Sequence, residues 1–131
     1  MLGIDTNILV RFLVRDDEHQ FEKARKLIRR EVVAGRSVFV SQLVLLETEW
    51  VLRSRYDFNQ NEIIGVISGL LDSSDVQLED ETEIEEALYV WNDSNTEFAD
   101  CLIGARNRRL GCSATATFDA KASKLPTFVA A

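Results

Sequence analysis

With 131 residues, the chain suits one domain with one sizeable core and leaves little room for a second. Hydrophobic residues are 46% and charged residues 28%, which excludes a disordered chain, while a formal net charge of −7 excludes a protein whose main business is passive wrapping of nucleic acid. No segment offers the ~20 apolar residues of a membrane span, Asp5 interrupts any signal-peptide run, and Cys101 and Cys112 make neither a disulfide framework nor a zinc site. A cytoplasmic protein is expected.

Leu2-Gly3-Ile4 reads as a short strand ending on Asp5, followed by the helical pattern Ile8 to Leu13. Ligands collect at such carboxyl ends of strands in a parallel α/β sheet. Thr6 and Asn7 are expected to cap the helix, leaving Asp5 free to face the crevice; the competing reading makes Asp5 itself the cap. Asp16-Asp17 supplies the cap of a helix from Glu18 to Val33, stopped by Gly35, with Phe21, Ala24, Leu27 and Ile28 on its inner face. His19, the only histidine, reads as solvated.

Ser37–Ser41 reads as the second strand, and Gln42–Arg53 as a helix. In that helix Leu43, Leu46 and Trp50 form one stripe and Val44, Glu47 and Val51 its neighbour, so Glu47 is expected to sit among apolar groups, where an ionised acid needs a partner or a metal. Glu49 reads as a solvated acid or a partner of Arg53. After the turn Tyr56-Asp57-Phe58, Asn59 or Asn61 caps a helix carrying Ile63, Ile67 and Leu70, and the two helices are expected to form a projecting αα-hairpin.

Asp75–Leu78 alternates as a strand, and the acidic run Glu79–Glu86 fits a helix start. The polar connector Asn92–Thr96 presents another cap before the helix that carries Glu97 and Asp100 on one side. Gly104 and Ala105 permit close approach of a neighbour, for which the helix of Glu47 is a candidate. Cys112–Ala116 reads as a strand with Cys112 buried, Thr117-Phe118-Asp119 gives another carboxylate after a strand, Ala120–Lys124 is a short helical turn and Thr127–Val129 a last strand. The alternation predicts one α/β domain over 1–131, three-layered, with a mainly parallel sheet of four or five strands.

Asp5, Glu47, Asp100 and Asp119 come from separate elements that such a fold can bring to one crevice. Ionised together they repel, and a hard divalent cation, Mg2+ or Mn2+, resolves the conflict. Zinc and iron lack their usual ligands, and no Gly-rich phosphate loop is present. An Asp-based phosphatase would want an aspartate two residues after Asp5, where Asn7 stands. Thr6, Asn7 and Thr117 are placed to orient ligands or a phosphate. Phosphate contacts would have to come from local cations, for which Arg11, Arg15, Arg53, Arg55, Arg106, Arg108, Arg109, Lys121 and Lys124 are the candidates.

Asp5-Thr6-Asn7-Ile8-Leu9, Val44-Leu45-Leu46-Glu47 with Trp50-Val51-Leu52, Phe98-Ala99-Asp100-Cys101-Leu102-Ile103 and Thr117-Phe118-Asp119 together resemble the PIN-domain ribonucleases, specifically the VapC-like toxins of toxin–antitoxin pairs. The resemblance runs from Asp5 to about Lys124, in the family's order and spacing. It implies a PIN-like fold and a metal-dependent endoribonuclease that hydrolyses an RNA phosphodiester with metal-activated water. Asp5, Asp100 and Asp119 would be leading ligands and Glu47 would complete the site, with either Glu47 or Asp100 positioning the water. It also implies a homodimer and a small cognate antitoxin with an apolar helix and a basic tail. Glu97 departs from the aspartate often found there, which leaves a direct or an outer role open. The alternatives are a nuclease outside a toxin system, a DNA nuclease or phosphatase with the same acids, and a non-catalytic RNA-binding or assembly protein.

Overall fold

In the computed structural model, which describes every residue from Met1 to Ala131, the elements run β1 (Leu2–Gly3), α1 (Thr6–Leu13), α2 (Glu18–Val33), β2 (Val38–Val40), α3 (Gln42–Arg55), α4 (Gln60–Asp72), β3 (Val76–Leu78), α5 (Glu81–Asn92), α6 (Phe98–Arg109), β4 (Thr115–Thr117), a 3-10 turn (Ala122–Lys124) and β5 (Phe128–Ala130). The chain is α/β, with every strand pairing parallel, as expected. The strands number five, but their hydrogen bonds divide them into a three-stranded sheet, β1-β2-β3, and a two-stranded one, β4-β5. The residues form two compact units, Met1–Glu79 and Asp80–Ala131, each with one of these sheets. No helix is long and apolar enough to cross a membrane.

In the first unit, α1 and α2 connect β1 to β2, and α3 and α4 connect β2 to β3. Parallel neighbours need such crossovers, because a tight turn cannot reverse the chain twice. Asp17 caps α2 through the Gln20 amide at 3.0 Å, and Gly35, at φ +80°, ends it in a conformation that glycine adopts without strain. Asn59 and Glu62 form a reciprocal capping box at the start of α4. Its Ile63, Ile67 and Leu70 are buried, as are Val38 and Val40 of β2 and Val76 and Leu78 of β3. Each such side chain contributes about 1.5–3 kcal/mol when fully buried.

The face of α3 differs from expectation. Leu45, Thr48, Glu49 and Leu52 are buried, whereas Leu43 is 79% and Trp50 50% exposed. Glu47 therefore lies on the exposed side of α3, not among apolar groups, and Glu49 is the buried acid, held by Arg53 at 2.9 Å. Leucines and valines surround the first half of this helix, so its period alone does not select the inward face.

In the second unit, α5 and α6 pack together around Ile84, Ala87, Trp91, Phe98, Cys101 and Leu102. The Trp91 and Phe98 rings meet at 5.3 Å with planes tilted by 53°, and the indole N–H donates to the Thr96 carbonyl at 2.8 Å. Charge staples the same pair of helices: Arg106 and Arg109 reach the buried Glu83 at 3.4 and 3.3 Å, Arg106 also reaches Asp80 at 3.2 Å, and Arg108 bonds Glu86. The acidic run thus partners the last turn of α6 as well as the dipole of α5. Gly104 makes room for the Phe128 ring of β5, within this unit. Cys112 falls outside β4 and is exposed, contrary to expectation.

Candidate active site

Asp5 follows the buried Ile4, whose amide bonds the Phe39 carbonyl at 3.0 Å and so extends the β1–β2 pairing to the start of the site. It is Asp5, not Thr6 or Asn7, that caps α1: its Oδ1 accepts the Ile8 amide at 3.0 Å. The reason is positional, because a capping side chain bonds an amide two or three residues ahead and Thr6 is already the first helical residue. Thr6 instead donates its hydroxyl to Glu47 Oε1 on α3, fixing that carboxylate against the first turn of α1. Asn7 is exposed and, with Ile8, Arg11, Gln20, Lys23, Ala24 and Leu27, lines an open groove of about 330 Å3 between α1 and α2.

In the second unit Asp100 lies in the first turn of α6 and is partly buried, while Glu97 is the helix's N-cap residue without making a side-chain cap bond. The polar connector before it turns on itself instead, with Ser94 and Thr96 sharing a hydroxyl bond at 2.6 Å. Burial pushes the Asp100 carboxyl up from its ordinary value, and the negative charges of Glu97 and Asp119 push it the same way. Asp119 repeats the arrangement of Asp5: its Oδ1 accepts the amides of Lys121 and Ala122 at 2.8 and 3.2 Å, opening the 3-10 turn. Thr117 Oγ1 accepts the Asp119 amide at 3.0 Å, so this hydroxyl sets the backbone that carries the acid.

The most buried acids are arranged differently. Glu31, Glu49 and Glu83, the acids most removed from solvent, are each paired with arginine. Asp5, Glu47, Glu97, Asp100 and Asp119 take part in no ion pair. Carboxylate oxygens are hard donors of the kind that suits Mg2+ or Mn2+, and a cation would offset the charges that Glu97 and Asp119 direct at Asp100 within the second unit. The fit is one of donor chemistry: no group of three or more His, Cys, Asp or Glu side chains is assembled as a metal cage.

The cations expected to meet phosphate are mostly engaged elsewhere. Arg11 pairs with Asp16, Arg15 with Glu18, Arg53 with Glu49, and Arg106, Arg108 and Arg109 with the acids of α5 and the turn before it. Arg55, Lys121 and Lys124 take part in none of these pairs. Sequence alone could not separate the two groups, since the partners of Arg106 and Arg108 lie more than 20 residues away.

The chain is similar to the VapC ribonuclease of Aquifex aeolicus (strain VF5), 24% identical over 122 residues that cover 93% of this chain and 90% of that protein. Among solved structures it is similar to VapC20 of Mycobacterium tuberculosis, a sarcin–ricin loop cleaving toxin, at 20% identity with a TM-score of 0.43, covering 94% of this chain and 93% of that one. The PIN domain model matches residues 3–127, a span that carries both strand-terminal aspartates, the α3 glutamate and the acids of α6. The chain belongs to the PIN-domain family.

Proposed function

We propose that the chain is a divalent-metal-dependent endoribonuclease and the toxin of a toxin–antitoxin pair. The observation that carries this reading is the contrast among its acids: those removed from solvent for structure have arginine partners, whereas Asp100, whose affinity for a proton is raised by burial and then by Glu97 and Asp119, has none. The similarity to a VapC ribonuclease supports RNA as substrate. Asp5, Glu47, Asp100 and Asp119 would hold Mg2+ or Mn2+, and the bound ion would supply positive charge for the phosphoryl oxygens and lower the pKa of the attacking water.

The protein's own groups set the rest. Asp5 and Asp119 each spend Oδ1 on backbone amides, which fixes the carboxylate plane and leaves Oδ2 for a ligand. Thr6 orients Glu47, and Thr117 orients Asp119 through its amide. Glu47 and Asp100 are the two acids suited to take a proton from water, Asp100 because its raised pKa makes it the stronger base. Glu97 acts on Asp100 through charge. A second copy of the chain would cover Leu43 and Trp50 on the exposed face of α3, and a small antitoxin with a basic tail would compete for the acids.

The test is cleavage of a panel of structured RNAs by purified protein with Mn2+, with DNA and a phosphomonoester as comparison substrates. RNA cleavage that a chelator abolishes, and that co-expression with the neighbouring small open reading frame suppresses, is expected. Metal-independent cleavage, or turnover of DNA or phosphomonoester in preference to RNA, would overturn the reading.

A further inference from the structure

Phe118 is 96% exposed, and it is the most exposed of the large apolar side chains. A lone surface aromatic is ordinary in itself; its setting is not. The backbone is pinned on both sides of it: the Ala131 amide bonds the Thr117 carbonyl at 2.8 Å, the Asp119 amide bonds Thr117 Oγ1, and Asp119 anchors the following turn through Oδ1 and through its carbonyl to the Ser123 amide at 3.0 Å. The ring is therefore held out by a rigid turn, so a ligand that covers it loses little chain freedom.

The neighbours decide what that ligand is. Phe118 directly precedes Asp119, with Cα atoms about 3.8 Å apart across the peptide, and Lys121 follows as an exposed cation that takes part in no ion pair. One aromatic ring whose chain neighbours are Thr117, Asp119, Ala120 and Lys121 offers too small and too polar a segment for an apolar helix of a partner protein. An unpaired nucleotide matches it, presenting a flat base to the ring and a phosphate to the ammonium group.

We propose that Phe118 stacks on an unpaired base of the RNA next to the cleaved phosphodiester, with Lys121 contacting a flanking phosphate. This rests on the ribonuclease reading and deepens it. The Phe118 ring fixes the register of the strand against Asp119, and since every base has a π-face the contact selects unpaired RNA over duplex more than one sequence over another. The chemistry that selects sequence then lies elsewhere on the protein.

The test measures binding of a fluorescein-labelled, unstructured RNA oligonucleotide by anisotropy with calcium in place of magnesium, across a salt series, followed by cleavage kinetics with Mn2+. Phe118→Ala should bind about tenfold or more weakly, raising KM more than it lowers kcat, while Phe118→Trp restores binding. Lys121→Ala should weaken binding and reduce the salt slope by about one. Equal RNA affinity for wild type and Phe118→Ala, or failure of Phe118→Trp to restore it, would overturn the proposal even where Mn2+-dependent cleavage persists. Tight binding with the expected Phe118 dependence but no cleavage of any RNA would instead sink the ribonuclease reading alone. Loss of a co-expressed protein partner with RNA affinity unchanged would assign the ring to a protein interface and also overturn the proposal.

Discussion

Single residues in this chain carry two tasks where one would be guessed. Asp5 is both a helix cap and a candidate metal ligand, and the two readings that competed in the sequence are compatible because a carboxylate has two oxygens. Tyr56 shows how a long-range contact sets an ionisation: its hydroxyl donates to Asp16 at 2.8 Å, and with Arg11 it holds the Asp16 carboxyl below the ordinary value, the tyrosine bond being the largest cause. A carboxyl whose folded pKa is depressed contributes stability that is complete above its unfolded value, about 3.9, and is lost as pH falls through the folded value. Tyr56→Phe should therefore lower the urea midpoint by a constant amount above about pH 5, with the difference from wild type shrinking in acid. A difference that stays constant down to pH 2 would contradict the assignment. Buried Glu49 holds Arg53 at 2.9 Å, which gives that arginine a structural partner.

At the scale of elements, capping was legible for α2 but not for α1, and facing was legible for α4 but not for α3. The bounds of α2 follow from Asp17 and Gly35, since these are local rules with local partners, whereas the choice between Asn59 and Asn61 at the start of α4 falls to Asn59 through its reciprocal bond with Glu62. The inward face of α3 was misread because apolar residues on several sides give no contrast, which hid the fact that Glu47 is exposed and Glu49 buried. Close packing at Gly104 was legible as a small residue but its neighbour was not, because that neighbour, Phe128, arrives from 24 positions further on. A Cβ at Gly104 would come within 2.5 Å of the Phe128 ring. Alanine gains about 1 kcal/mol over glycine in a helix, whereas forcing an extra methyl into a packed site costs about 1–3 kcal/mol. The steric cost should win: Gly104→Ala is expected to lower unfolding free energy by about 1 kcal/mol, and pairing it with Phe128→Leu to recover most of the loss. A stabilised Gly104→Ala protein in chemical denaturation would show that the ring moves aside freely.

For the whole molecule, net charge was informative once the partners of each charge were known. The value of −7 hides an internal sorting, in which arginines pair with Glu22 and Glu31 of α2, Glu49 of α3 and Glu83 and Glu86 of α5, while the acids matching the family's motifs take part in no ion pair. The order of elements was readable from sequence because the longer elements each carry an apolar segment with a recognisable pattern. The division of the strands into two sheets was not, since strands of two or three residues carry too little pattern to name their neighbours.

The central claim is that the unpaired acids hold a divalent ion. Asp5→Asn tests it with little structural damage, because asparagine caps a helix about as well as aspartate and only the charge and one ligand oxygen are lost. In calorimetric titration with Mn2+, wild type should bind the ion and Asp5→Asn should bind it at least about tenfold more weakly, a loss of roughly 1.4 kcal/mol, with thermal stability in chelator unchanged. Equal Mn2+ affinity in the two proteins, or no Mn2+ binding by wild type, would contradict the account.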